Sequence, residues 1–133
     1  MGKYKKKLPQ DKKLYEKYNP DRFPPRFSFR MLVKDDKFGF EGMEKDHKLS
    51  LINTIYKLSQ LNWADLRIAD RHGLGYEIIE RHALSLPIPN SVPDHVKLIA
   101  FRYHGKSSML GYRSIYGTFY IIAIDRNFQA YKH

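Results

Sequence analysis

From Lys97 onward, apolar and aromatic residues come in short runs separated by turn residues. Lys97–His104 is followed by Gly105-Lys-Ser-Ser, Met109–Tyr116 by Gly117, and Thr118–Asp125 by Arg126-Asn127; Phe128–His133 is the last run. Such β-branched and aromatic runs, broken by Gly, Ser and Asn, predict an antiparallel meander of three or four strands. Thr118–Asp125 is the most β-prone of them. Near the start, Phe27, Phe29, Met31 and Val33 alternate with Ser28, Arg30 and Lys34. That period predicts one half-buried strand over Phe27–Val33, followed by a turn at Lys34–Lys37 and a loop at Phe38–Gly42.

Between these strand signals the period changes. Asp46 can cap a helix running to about Leu61, with Leu51, Ile55 and Leu58, and Ile52 beside them, as its core-facing stripe. Asn62 is a second N-cap with Asp65 three residues on, so a short helix is predicted over Trp63–Arg71, ending at His72-Gly73. Trp63, the only Trp, reads as a core anchor. Over Gly75–Leu84 the spacing of Tyr76, Ile79 and Ala83 suits a further short helix. Ser85–Asp94, with Pro87, Pro89 and Pro93, is a rigid loop into the meander. The predicted fold is a single α+β domain over residues 20–133. Its antiparallel sheet combines the N-terminal strand with the C-terminal three- to four-strand meander, and two helices pack on one face.

Charge changes the picture. Among 133 residues, 24 Lys and Arg stand against 14 Asp and Glu, a formal +10. Half of that excess lies in residues 1–19, where seven Lys meet two acids. This segment reads as a basic, flexible arm in which Lys5, Lys6, Lys7, Lys12 and Lys13 are placed to grip phosphate. From Lys97 to His133 the only acid is Asp125, while Arg102, Lys106, Arg113 and Arg126 share the meander with five tyrosines. Cations interleaved with rings suit a polyanion with exposed bases, so nucleic acid or a ribonucleoprotein is the expected partner, with an acidic protein as the alternative.

Other classes fall away. With no Cys there is no disulfide, iron–sulfur or thiol chemistry, and a reducing cytoplasm is the expected compartment. No apolar run is long enough to span a membrane, and the lysine-rich start lacks the apolar core of a signal peptide. The six His show no HxxxH or HxH pair, so neither a metal nor a cofactor is expected from spacing. Phosphate-loop and dinucleotide fingerprints are missing as well.

The element order, size and charge, with Gly111-Tyr112-Arg113, the apolar strand Phe119–Ile124 and the closing Tyr131-Lys132-His133, resemble the RelE/YoeB-like toxins of toxin–antitoxin systems. The resemblance implies a metal-independent endoribonuclease that cuts messenger RNA, typically on the ribosome, with an acidic antitoxin as partner. Two strand registers stay open. Gly111–Arg113 is either the strand bearing the family's catalytic Arg or the one before it; in the second case that position falls near Phe119 or Tyr120, neither a cation. The family's general base is often a Glu or Lys in the middle of the fold, and no single position stands out for it here.

Cleavage by transesterification needs a base for the 2′-hydroxyl, a cation for the phosphorane and an acid for the leaving 5′-oxygen. His104, Tyr131 and His133, at strand ends, are the candidate acid and base. Arg113 is the candidate clamp, since a guanidinium is permanently charged and bidentate. Arg67, Arg71, Arg102, Lys106 and Arg126, with the arm lysines, are the candidate RNA contacts. The competing expectation is a non-catalytic basic module of phage or mobile-element origin that holds nucleic acid or blocks a protein.

Overall fold

A computed structural model describes residues 19–70 and 73–131. Strand β1 (Arg26–Ser28) is followed by helices α1 (Lys45–Leu58) and α2 (Trp63–Ile68), then strands β2 (Tyr76–Ile79), β3 (Leu98–His104), β4 (Ser107–Arg113) and β5 (Thr118–Asp125). The five strands form one sheet in the order β1-β5-β4-β3-β2. The α+β class, the single sheet joining the first strand to the meander, and the two helices on one face follow the sequence expectation.

Three expectations are corrected. The sheet is mixed, because β1 runs parallel to β5 while every other pair is antiparallel. The alternating run Phe27–Val33 is not one strand. Pairing stops at Ser28, whose hydroxyl accepts from Arg30 N–H, and Leu32 N–H donates back to Phe29 O. Beyond that turn the chain crosses to the other face, where Val33 N–H meets Ile122 O. So Phe27 packs with the helices, while Met31 and Val33 join the opposite core. Finally, Gly75–Leu84 is not a helix. Tyr76–Ile79 is an edge strand on β3, and only Arg81–Ala83 makes a 3₁₀ turn. Pairing with β3 overrides a weak helical spacing in a stretch whose Tyr and two Ile favour strands.

The sheet separates two apolar clusters. On one face Leu51 and Leu58 of α1, with Trp63 and Leu66 of α2, pack on Ile99, Phe101, Met109, Phe119, Ile121 and Ile124. α1 begins one residue before Asp46 and ends at Leu58 rather than Leu61, and Ile52 is exposed instead of joining the core stripe. The short α2 starts as predicted. Asn62 and Asp65 form a reciprocal capping box, and Trp63 is buried as an anchor. Among the described residues the opposite face carries no α-helix. Irregular chain covers it: Met31 to Phe38, the proline loop through Leu86 and Val92, and the C-terminal Ala130 and Tyr131.

Gly111 explains part of the Gly-Tyr-Arg pattern. It sits at the register shift between β4 and β5, where a Cβ would come within 2.0 Å of Tyr120 O. Only glycine fits so close a backbone approach.

Candidate functional site

Strand register builds a polar group on the helix-free face. Glu77 of β2 stands opposite Ala100, and Arg102, two residues further along β3, stands opposite Ser108 of β4. Residues two apart share a face, so Glu77, Arg102 and Ser108 point to one side. The C-terminal segment brings a phenol onto them. Asp125, buried at the end of β5, accepts from Gln129 N–H at 2.8 Å and from Ala130 N–H at 3.1 Å. Phe128 turns through a positive φ of 59°, and Ser85 N–H donates to Ala130 O at 2.7 Å. Tyr131 then bridges to Leu84, and its hydroxyl donates to Glu77 Oε2 at 3.4 Å.

The electrostatics of this group are uneven. Burial pushes the Tyr131 phenol up to about 12, and the Glu77 charge adds to the rise; the Ser108 hydrogen bond and the Arg102 charge oppose it. The phenol therefore holds its proton at neutral pH. Glu77 and Arg102 are half-buried, and among the described residues Arg102 Nε is buried with no hydrogen-bond partner. A carboxylate, a protonated phenol and a guanidinium can together take a proton, give a proton and hold an oxyanion.

Glu77 also lines an open cleft of about 1130 Å³ that runs to the far end of β4, where Trp63, Arg67, Lys97, Arg113 and Tyr120 line it. There Arg113 lies over the Trp63 ring at 5.0 Å and pairs with Asp21 at 2.6 Å. Asp21 takes Arg67 as well, at 3.1 Å. One carboxylate thus holds both arginines at the cleft mouth.

The predicted site residues do not form one constellation. His104 lies at the opposite end of the β3–β4 hairpin from Arg113: Leu98 faces Tyr112, whereas His104 faces Ser107. At ~3.3 Å per residue that is roughly 20 Å along the sheet, too far to share one phosphate. Arg113 is on the helix face and Tyr131 on the other. Of the proposed RNA contacts, Arg102 stands beside Tyr131, Arg67 is tied to Asp21, and Lys106 is exposed in the β3–β4 turn. Arg126 is used internally: it donates to the backbone carbonyls of Asp36, Lys37 and Gly42 and so secures the loop before α1. Lys5, Lys6, Lys7, Lys12, Lys13, Arg71 and His133 lie outside the described residues. Glu77 was missed in the sequence because its segment reads as a helix, which scatters the neighbours that a strand puts on one face.

Buried phenols set the alkaline limit of the fold. Tyr103 is raised in the same direction as Tyr131 and from the same leading cause, burial. A folded value above the usual 10 favours the protonated, folded state, so this stability is complete below pH 10 and lost as pH rises toward 12. Thermal melts should hold steady below about pH 9.5 and fall steeply between about pH 10 and 12, and Tyr131→Phe should lose less across that window.

These features define a small α+β protein with one mixed five-stranded sheet and a polar group on its helix-free face. Comparisons with protein-family models, with curated proteins and with solved structures found no match. Among the described residues no helix is long and apolar enough to cross a membrane.

Proposed function

We propose that this chain is an endoribonuclease that cuts messenger RNA in the manner the RelE/YoeB-like resemblance implies. The observation that carries the reading is the meeting of Glu77, Tyr131 and Arg102 on one sheet face, next to a cleft rich in cations and rings. Glu77 takes the 2′-hydroxyl proton as the 2′-oxygen bonds to phosphorus. Arg102 holds the non-bridging oxygens as charge grows on them. Tyr131 gives its proton to the departing 5′-oxygen as the P–O5′ bond breaks. The products are a 2′,3′-cyclic phosphate and a 5′-hydroxyl. These side chains supply base, clamp and acid themselves, so cleavage should persist in EDTA.

Arg67, Lys97 and Arg113 serve binding in this scheme, with the arm lysines as further phosphate contacts. The ribosome, an acidic antitoxin and a cytoplasmic setting belong to the same proposal. Its test is incubation of the full chain with free and ribosome-bound messenger RNA, with mapping of the new ends. Fresh 5′-hydroxyl ends support the reading, and tight binding without any cut sinks it.

One observation favours the alternative, a non-catalytic binding module. The best phosphate clamp in the sequence, Arg113, is already paired with Asp21. The same ion pair makes the role of the cleft testable. Arg113→Ala should weaken RNA binding severalfold and reduce the slope of log affinity against log salt by roughly 0.7. Asp21→Asn, which frees both arginines, should strengthen binding. Anisotropy titrations at several salt concentrations measure both, and an unchanged slope removes Arg113 from the interface.

A further inference from the structure

The start of α1 and the end of β3 bring together three side chains able to ligate a metal, adjacent Asp46 and His47 from the helix and His104 from the strand. Asp46, His47 and His104 each offer one donor atom, and these atoms lie within 4.8 Å of one another. The two imidazole rings stand 4.4 Å apart between centroids. Each ring is oriented through Nδ1 by a hydroxyl: Tyr103 Oη lies 2.8 Å from His47 Nδ1, and Ser50 Oγ lies 2.9 Å from His104 Nδ1. Among the described residues no hydrogen bond reaches either Nε2, though Glu44 Oε2 stands 3.8 Å from His47 Nε2.

We propose that Asp46, His47 and His104 form a binding site for a first-row divalent transition metal, with Glu44 beside it as a further oxygen donor. Two imidazoles and a carboxylate are the donor set of zinc and its neighbours, whereas magnesium and calcium favour oxygen alone. An oxygen partner on the remote ring nitrogen is the usual support of a ligating histidine, and here both rings have one. Donors about 2.0–2.2 Å from an ion stand about 3.3 Å apart in a tetrahedron. The site must therefore close by up to about 1.5 Å. Asp46 and His104 are exposed and can rotate to do so, while half-buried His47 is fixed by Tyr103. The open side leaves room for water or a substrate oxygen as the remaining ligand. A bound ion would tie the first turn of α1 to the end of β3, and it would occupy His104, which the sequence suggests as an acid or base.

This site is separate from the Glu77–Tyr131 group and does not depend on the ribonuclease reading. It is tested on the full chain, stripped with EDTA and titrated calorimetrically with zinc chloride, with magnesium chloride as control. One equivalent of zinc should bind with micromolar or tighter affinity and raise the melting temperature, and magnesium should do neither. Asp46→Asn and His104→Gln should each weaken zinc binding at least tenfold, and Ser50→Ala by roughly 10–100-fold. His82→Ala, at an exposed histidine elsewhere, should leave it unchanged. His47→Ala also removes one hydrogen-bond partner of the Tyr103 hydroxyl, so the exposed ligands are the better variants. Zinc binding as tight in the Asp46→Asn/His104→Gln double variant as in the parent overturns the proposal. So does no zinc binding by a parent chain that is folded by circular dichroism.

Discussion

Glu77→Gln is expected to lower the rate of RNA cleavage by roughly 10²–10⁴, the usual cost of removing a positioned acid or base. The substitution keeps the size of the side chain and an oxygen to accept from the Tyr131 hydroxyl, so the fold should persist. RNA affinity should hold or rise, because a negative charge leaves the cleft proposed to hold the RNA. Loss of rate without loss of binding marks a contact that matters in the transition state. Tyr131→Phe should give a smaller loss, since water can still protonate the departing 5′-oxygen. Arg102→Lys should lower the rate, because a point charge does not reproduce a fork on the phosphorane. The measurement is single-turnover cleavage at saturating RNA. A Glu77→Gln protein that cuts at the parent rate removes Glu77 as base and returns the sheet face to a structural role.

Much of the fold can be read from period and punctuation, because those signals are local. The meander breaks at Gly105 and Gly117, both at positive φ in the structure, and Asn62 with Asp65 marks the start of α2. Local signals fail where tertiary pairing decides. Tyr76–Ile79 becomes a strand only because β3 offers an open edge. Phe27–Val33 keeps a strand period, yet β1 is three residues long because the chain must cross to the other face. The site is less legible still. Glu77 meets Tyr131 across 54 residues, and His47 meets Tyr103 across 56. A search for HxxxH or HxH sees only ligands on one element, so it passes over a pair assembled from a helix and a strand. Charge misleads in a similar way: Arg126 and Arg113 add to the basic total, but one secures a loop and the other pairs with Asp21.

Trp63→Ala is expected to be the most destabilising single change, by about 3–5 kcal/mol. Helix α2 has six residues, too few to be stable alone, so its anchors must hold it to the sheet. Trp63 is 1% exposed and packs edge-on or tilted against Tyr76, Phe101 and Phe119 with ring centroids 6.1–6.4 Å away. Its indole N–H donates to Gly117 O at 2.9 Å, and its backbone N–H donates to Phe23 O at 3.1 Å. The side chain thus ties α2 to the β4–β5 turn as well as filling the core. Truncation leaves a large cavity, a buried Gly117 carbonyl with only the longer bond from Arg26 N–H at 3.4 Å, and Arg113 without the ring beneath it. Trp63→Phe separates these effects. It retains a ring but not the N–H, and should cost about 1–3 kcal/mol, the scale of an unmade buried hydrogen bond plus a smaller void. Urea unfolding followed by circular dichroism gives both values, and the melting temperature of the Ala variant should fall by roughly 10–20 °C. A loss below about 1 kcal/mol would mean that α2 is held elsewhere, and that Arg113 keeps its position without the indole.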